Sequence, residues 1–172
     1  MEMPFYLPPL TTFSLYSHVQ ALLLTERARS LAVDLDKAFS AEGVDGGLFN
    51  RIYGEFWLWV LGAYECTRTM CQHQHCFSAP TAERFAQFKR SIAMIRMPFA
   101  KQELQGREGI LVRHELSVSA VDSTRKDFAF DVAGMRYWMR EPLESFANMV
   151  ASLTAQDVLH RMGTPKPPPS AA

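Results

Sequence analysis

The chain has 172 residues, 48% hydrophobic and 21% charged, with Lys+Arg and Asp+Glu both at 18. That length fits one domain able to bury a core without metals or disulfides, and zero net charge removes any global pull toward nucleic acid or anionic lipid, leaving only a local basic patch as a route to either. The longest apolar run, Phe56 to Tyr64, falls short of the roughly 20 residues a membrane span needs, and Met1-Glu2-Met3-Pro4-Phe5 lacks the features of a secretory signal, so a cytoplasmic setting is expected.

Residues 1 to about 13 are punctuated by Pro4, Pro8 and Pro9 and read as extended, with Phe5, Tyr6 and Leu7 laid on the core. A first helix is predicted from near Leu15 to Glu42, with Leu24, Ala28, Leu31, Leu35 and Phe39 on its apolar face and Gly43 as its C′ glycine. Asp45 is placed to cap a second helix from about Gly47 to Gln74. Pro80 suits the first turn of a third helix, whose seam is Phe85, Phe88, Ile92, Ile95 and Phe99. Pro98 falls inside that seam, so the helix should kink there or end near Arg96.

After Gly106 and Gly109 the period changes to two. Ile110 to Ala120 and Phe128 to Trp138 flank the polar turn Asp122 to Asp127 and predict an antiparallel hairpin over about 110–139. Cross-strand ion pairs among Arg113, Glu115, Asp131 and Arg136 suit such a hairpin. A last helix follows from about Pro142, with Leu143, Phe146, Val150 and Leu153 inside, and Thr154 caps a short extra turn ending at Gly163. Residues 164–172 form a flexible Pro-rich tail, so 1–163 is one domain. The fold class is mostly α: an antiparallel bundle of about four helices, with one β-hairpin inserted before the last.

The second helix decides what the sequence says about function. Phe56-Trp57-Leu58-Trp59-Val60-Leu61-Gly62-Ala63-Tyr64 is apolar on every face, so it is expected to be shielded around its whole girth, by a thick core or by another subunit. Cys66, Cys71 and Cys76 recur every fifth residue, a spacing no helix can bridge, and read as thiols in a reducing compartment.

The polar end of this helix holds the candidate chemistry. Arg68 with His73, and His75 beyond it, resembles the Arg-x(4–6)-His signature of HEPN-type ribonucleases, which are helical bundles and commonly dimeric. The resemblance covers about a dozen residues. It implies a catalytic set in which His73 acts in RNA cleavage, Arg68 supports the phosphate and Glu65 is a further polar residue. The bland reading pairs Arg68 with Glu65 at i,i+3. Cys71, His73, His75, Cys76 and Glu65 are ligand types without zinc spacing, so no metal and no cofactor is expected. Arg96 and Lys101, on either side of Pro98, are candidates for binding a small anion.

No convergent catalytic set accompanies this surplus of aromatic surface. The sequence therefore favours a domain that acts by protein association, as a homodimer. An RNA-cleaving or nucleotide-binding bundle using Glu65, Arg68 and His73, and a small-anion binder using Arg96 and Lys101, are the alternatives.

Overall fold

The computed structural model describes residues 12–101, 103–104, 107–111 and 117–159, with side chains over 19–100, 117–154 and 156–159. The expected extended start (before residue 12), the Pro-rich tail and residues 112–116 lie outside them. Helix α1 (Thr12–Ala38) buries Ala21, Ala28, Leu31, Leu35 and Ala38, a stripe at helical spacing. It stops at Ala38 and not at Glu42. Strands β1 (Phe39–Ser40) and β2 (Gly43–Val44) then make a tight antiparallel turn. Gly43, at φ +128°, takes the backbone this turn needs and is not a helix cap.

Asp45 caps helix α2 (Gly46–Gln72) by accepting the Leu48 N–H at 3.0 Å. Its inner face buries Ile52, Phe56, Trp59, Val60, Ala63, Cys66, Thr67 and Met70. Trp59 donates its indole N–H to the Leu24 carbonyl of α1 at 2.9 Å. Its ring lies stacked by Phe56 and edge-on to Phe146, with centroids 6.0 and 5.7 Å away.

A 3-10 turn (Gln74–Cys76) leads into helix α3 (Ala79–Lys101), where Phe85, Phe88, Ile92, Ile95 and Phe99 are all buried as the seam predicts. Pro98 sits inside α3 without ending it. It falls in the final turn, where little helix remains beyond the lost N–H. One orphan carbonyl there is satisfied from outside, since the Trp57 indole N–H donates to the Phe99 carbonyl at 2.9 Å.

Strands β3 (Glu103–Leu104) and β4 (Arg107–Leu111) pair antiparallel. The expected hairpin is β5 (Val118–Asp122) with β6 (Asp127–Val132), joined through the turn at Asp122, whose carboxylate accepts the Thr124 and Arg125 N–H groups at 2.9 Å. The second apolar run divides: Ala133 and Gly134, at φ +52° and +82°, form a two-residue turn, and β7 (Met135–Trp138) returns beside β6. The sheet order is β5-β6-β7. Its central strand packs Phe130 against Phe56 and Phe99, with centroids 5.9 and 5.6 Å apart, which anchors the sheet on α2 and α3.

Helix α4 (Arg140–Ala151) starts two residues before Pro142, which lies in its first turn, and buries Leu143, Phe146, Ala147, Met149 and Val150 largely against α1. The short turn expected after Thr154 is the 3-10 helix Ala155–Asp157. It is clipped to the start of α3, because Ser78 N–H donates to the Asp157 carbonyl at 2.9 Å and Phe77 bridges Val158.

Shielding of α2 around its whole girth is corrected by the structure. Trp57 is 39% exposed and Leu58 61% exposed, on the side turned away from Phe56, Trp59 and Val60. The bundle needs only the inner half of the helix, which is why its topology stands without the rest.

Candidate functional site

Helix α2 carries two apolar stripes. The inner one is the core; the outer one runs through Gly54, Trp57, Leu58 and Leu61, spaced by three and four residues. Across a shallow groove, α1 adds Leu23, 59% exposed, with Val19 a turn earlier. Between them lies a cleft of about 560 Å³ whose apolar wall, Leu23, Leu24, Leu58 and Trp59 with Gly62, is interrupted by Arg27, Glu55 and Glu65. Gly62 forms part of this lining because the helices approach closely there: a Cβ on it would lie 3.1 Å from a Leu24 methyl.

Both indole N–H groups are already bonded inside the chain, so what Trp57 offers outward is mostly ring surface. Charged groups rim this apolar surface. Arg27 pairs with Glu55, Arg51 with Asp34 at 3.1 Å, and Arg68 with Glu65 at 2.7 Å. An apolar centre with a polar rim is the anatomy of a protein interface.

The residues expected to cleave RNA are positioned as follows. Glu65 holds Arg68 through Oε2 and lies 3.5 Å from the Arg96 guanidinium through Oε1, so one carboxylate faces two cations. His73 is the C-cap of α2, its ring 6.1 Å from the His75 ring. The helix is regular from Arg68 to Gln72, which turns Arg68 and His73 about 140° apart in azimuth. The fold joins Glu65 to Arg68 and to Arg96; His73 stands at a different end of the polar segment. Of the anion-site pair, Arg96 stacks 4.7 Å over the Tyr64 ring, and the Lys101 side chain lies outside the described residues.

Cys66 and Cys76 are buried and Cys71 half-buried, all as thiols. Burial pushes the Cys66 thiol up to about 12. It also raises Cys71, with Lys89 and Arg90 pulling the other way. Neither approaches the lowered value of a reactive nucleophile. Among the described residues, no group of three or more His, Cys, Asp or Glu is placed to hold a metal, and no helix is long and apolar enough to cross a membrane.

Two carboxylates outside the cleft serve the fold. Asp157 accepts from Thr81 Oγ1 at 2.6 Å, from the Thr154 N–H at 2.9 Å and from Ser78 Oγ at 3.0 Å, and these bonds hold its carboxyl well below the usual range. Asp131 takes Arg136 in a two-pronged pair at 2.9 and 3.0 Å across the β6-β7 ladder, a pair the expected hairpin did not contain because it placed both residues on one strand.

Sequence reasoning missed Leu23 and Gly62 as lining of this cleft, and Arg51 and Gly54 as members of the outer face of α2. The available signal was the seven-residue spacing of Arg51, Leu58 and Glu65 along one helix. Comparison with protein-family models, with curated proteins and with solved structures returns no match.

Proposed function

We propose that this protein acts by association, as a homodimer that closes the outer face of α1 and α2. The observation that carries this reading is the exposure of Leu23 and Leu58 on the two walls of one mostly apolar cleft between α1 and α2, with Trp57 part-exposed on the α3 side of α2. Elsewhere among the described residues the exposed large hydrophobics are single valines, Met135 and Leu159, an ordinary scatter. A contiguous apolar patch with a charged rim is the usual mark of a partner site. A cytoplasmic setting belongs to this reading, because three thiols within one short segment suit a reducing compartment.

Sedimentation velocity at tens of micromolar tests it. The wild type sediments as a dimer, and Leu58→Glu, a change at an exposed position, sediments as a folded monomer. A wild-type monomer, or a dimer indifferent to Leu58→Glu, overturns the proposal.

A further inference from the structure

The charge pattern of α2 specifies how the second copy docks. This inference rests on the association reading above. Arg51 and Glu65 lie seven residues before and after Leu58. Seven residues are two turns less about 20°, so the three side chains form one stripe on the outer flank of α2. Gly54 and Gly62 lie four residues before and after Leu58, on either side of that stripe.

Read backwards, the stripe exchanges Arg for Glu and keeps Leu and the two glycines in place. We infer that two copies pack α2 against α2 antiparallel, about a two-fold axis at Leu58. Leu58 then meets the second copy's Leu58, and Gly54, with open space beside it, lets the two backbones approach on its side, while Gly62 stays packed against Leu24 of its own chain. Each Arg51 meets a Glu65. Such a contact is isologous and closes at two.

Electrostatics favours this register over the one centred between Leu58 and Leu61. Moving the axis to lie between Leu58 and Leu61 sets Arg51 against the second copy's Arg68, a like-charge contact. With the axis at Leu58, both rim contacts are of opposite sign. The partners each group has within its own chain do not forbid this: Arg51 touches Asp34 at 3.1 Å, and a guanidinium with five donors can hold two carboxylates; Glu65 meets Arg68 at 2.7 Å and Arg96 at 3.5 Å, and a half-exposed carboxylate has lone pairs for a further donor. Glu55, which approaches the second copy's Leu61, is paired with Arg27.

Charge reversal with complementation tests the register. Arg51→Glu and Glu65→Arg are prepared separately and each checked for native helicity. Each alone places like charges at both rim contacts and self-associates at least tenfold more weakly than wild type, measured by sedimentation equilibrium. Mixed in equal amounts they pair glutamates on one chain with arginines on the other, and dimer returns to within a few-fold of wild type. Recovery on mixing cannot come from two misfolded chains. If Leu58→Glu dissociates the dimer but the two variants associate no better mixed than apart, this register is wrong and the association reading survives. If wild type is itself monomeric, both fall.

Discussion

Asp127 lies fully buried between the β5-β6 turn and the first residue of α4. Its carboxyl accepts the Phe128 N–H at 2.9 Å and the Arg140 N–H at 3.3 Å. The Arg140 guanidinium meanwhile reaches Asp36 of α1 at 3.0 Å and the Lys126 carbonyl at 3.1 Å. Burial outweighs the two backbone bonds and the charges of Arg140 and Arg125, and pushes the acid from its ordinary 3.8 up to about 6. The folded state therefore holds the proton more tightly than the unfolded chain. The associated stability is fully present below about pH 4 and is lost as pH rises through 6. A displacement of about two pH units corresponds to about 3 kcal/mol.

Asn at this position keeps an acceptor for both N–H groups and cannot ionise. Asp127→Asn is thus expected to match wild type at pH 4 and to exceed it by about 3 kcal/mol at pH 7.5. For a chain of this size that is roughly 6–12 °C in Tm. Urea denaturation of both proteins at the two pH values is the assay. A variant no more stable than wild type at pH 7.5 would refute the reasoning, because the carboxylate would then be a net asset through Arg140 and Arg125.

Three further outcomes follow from the same structure. Asp157→Ala, which unclips the segment after α4 from the start of α3, is expected to cost about 1–3 kcal/mol at pH 7. Since the Asp157 acid is held low, that contribution is present above its ordinary 3.8 and fades below it, so the gap in urea midpoint narrows toward pH 2. Gly54→Ala, placed in the Leu58→Glu monomer, should add about 0.5–1 kcal/mol to thermal stability, since a Cβ there meets nothing within 4 Å and glycine weakens a helix interior. With a thiol reagent at pH 8, Cys71 is expected to react in the native protein, and Cys66 and Cys76 only after denaturant is added; three fast thiols would contradict the burial described.

The seam of α3 was legible because Phe85, Phe88, Ile92, Ile95 and Phe99 keep one helical period, and periodicity directly encodes a buried face. Asp45 was legible as a cap for a similarly local reason. What the sequence could not separate was the two apolar stripes of α2. A run such as Phe56 to Tyr64 states that both sides avoid water, not which side its own chain covers. Leu58 is therefore exposed in the single chain and Trp57 partly so, whereas Trp59 is buried. The second strand run hid its break at Ala133 and Gly134 for a related reason: apolar residues continue on both sides, and the turn shows only in backbone angles. At the candidate site, pairing of Arg68 with Glu65 was predictable at i,i+3, whereas the reach of Arg96 from α3 to Glu65 is tertiary and invisible in local spacing.

The claim that matters most is that Leu58 lies against its own counterpart. In a Cys71→Ser background, Leu58→Cys treated with a short bismaleimide at low micromolar protein is expected to give a covalent dimer in high yield. Val33→Cys, exposed elsewhere on α1, stays monomeric under the same treatment. Equal cross-linking at the two positions, or none at Leu58→Cys, would contradict the account.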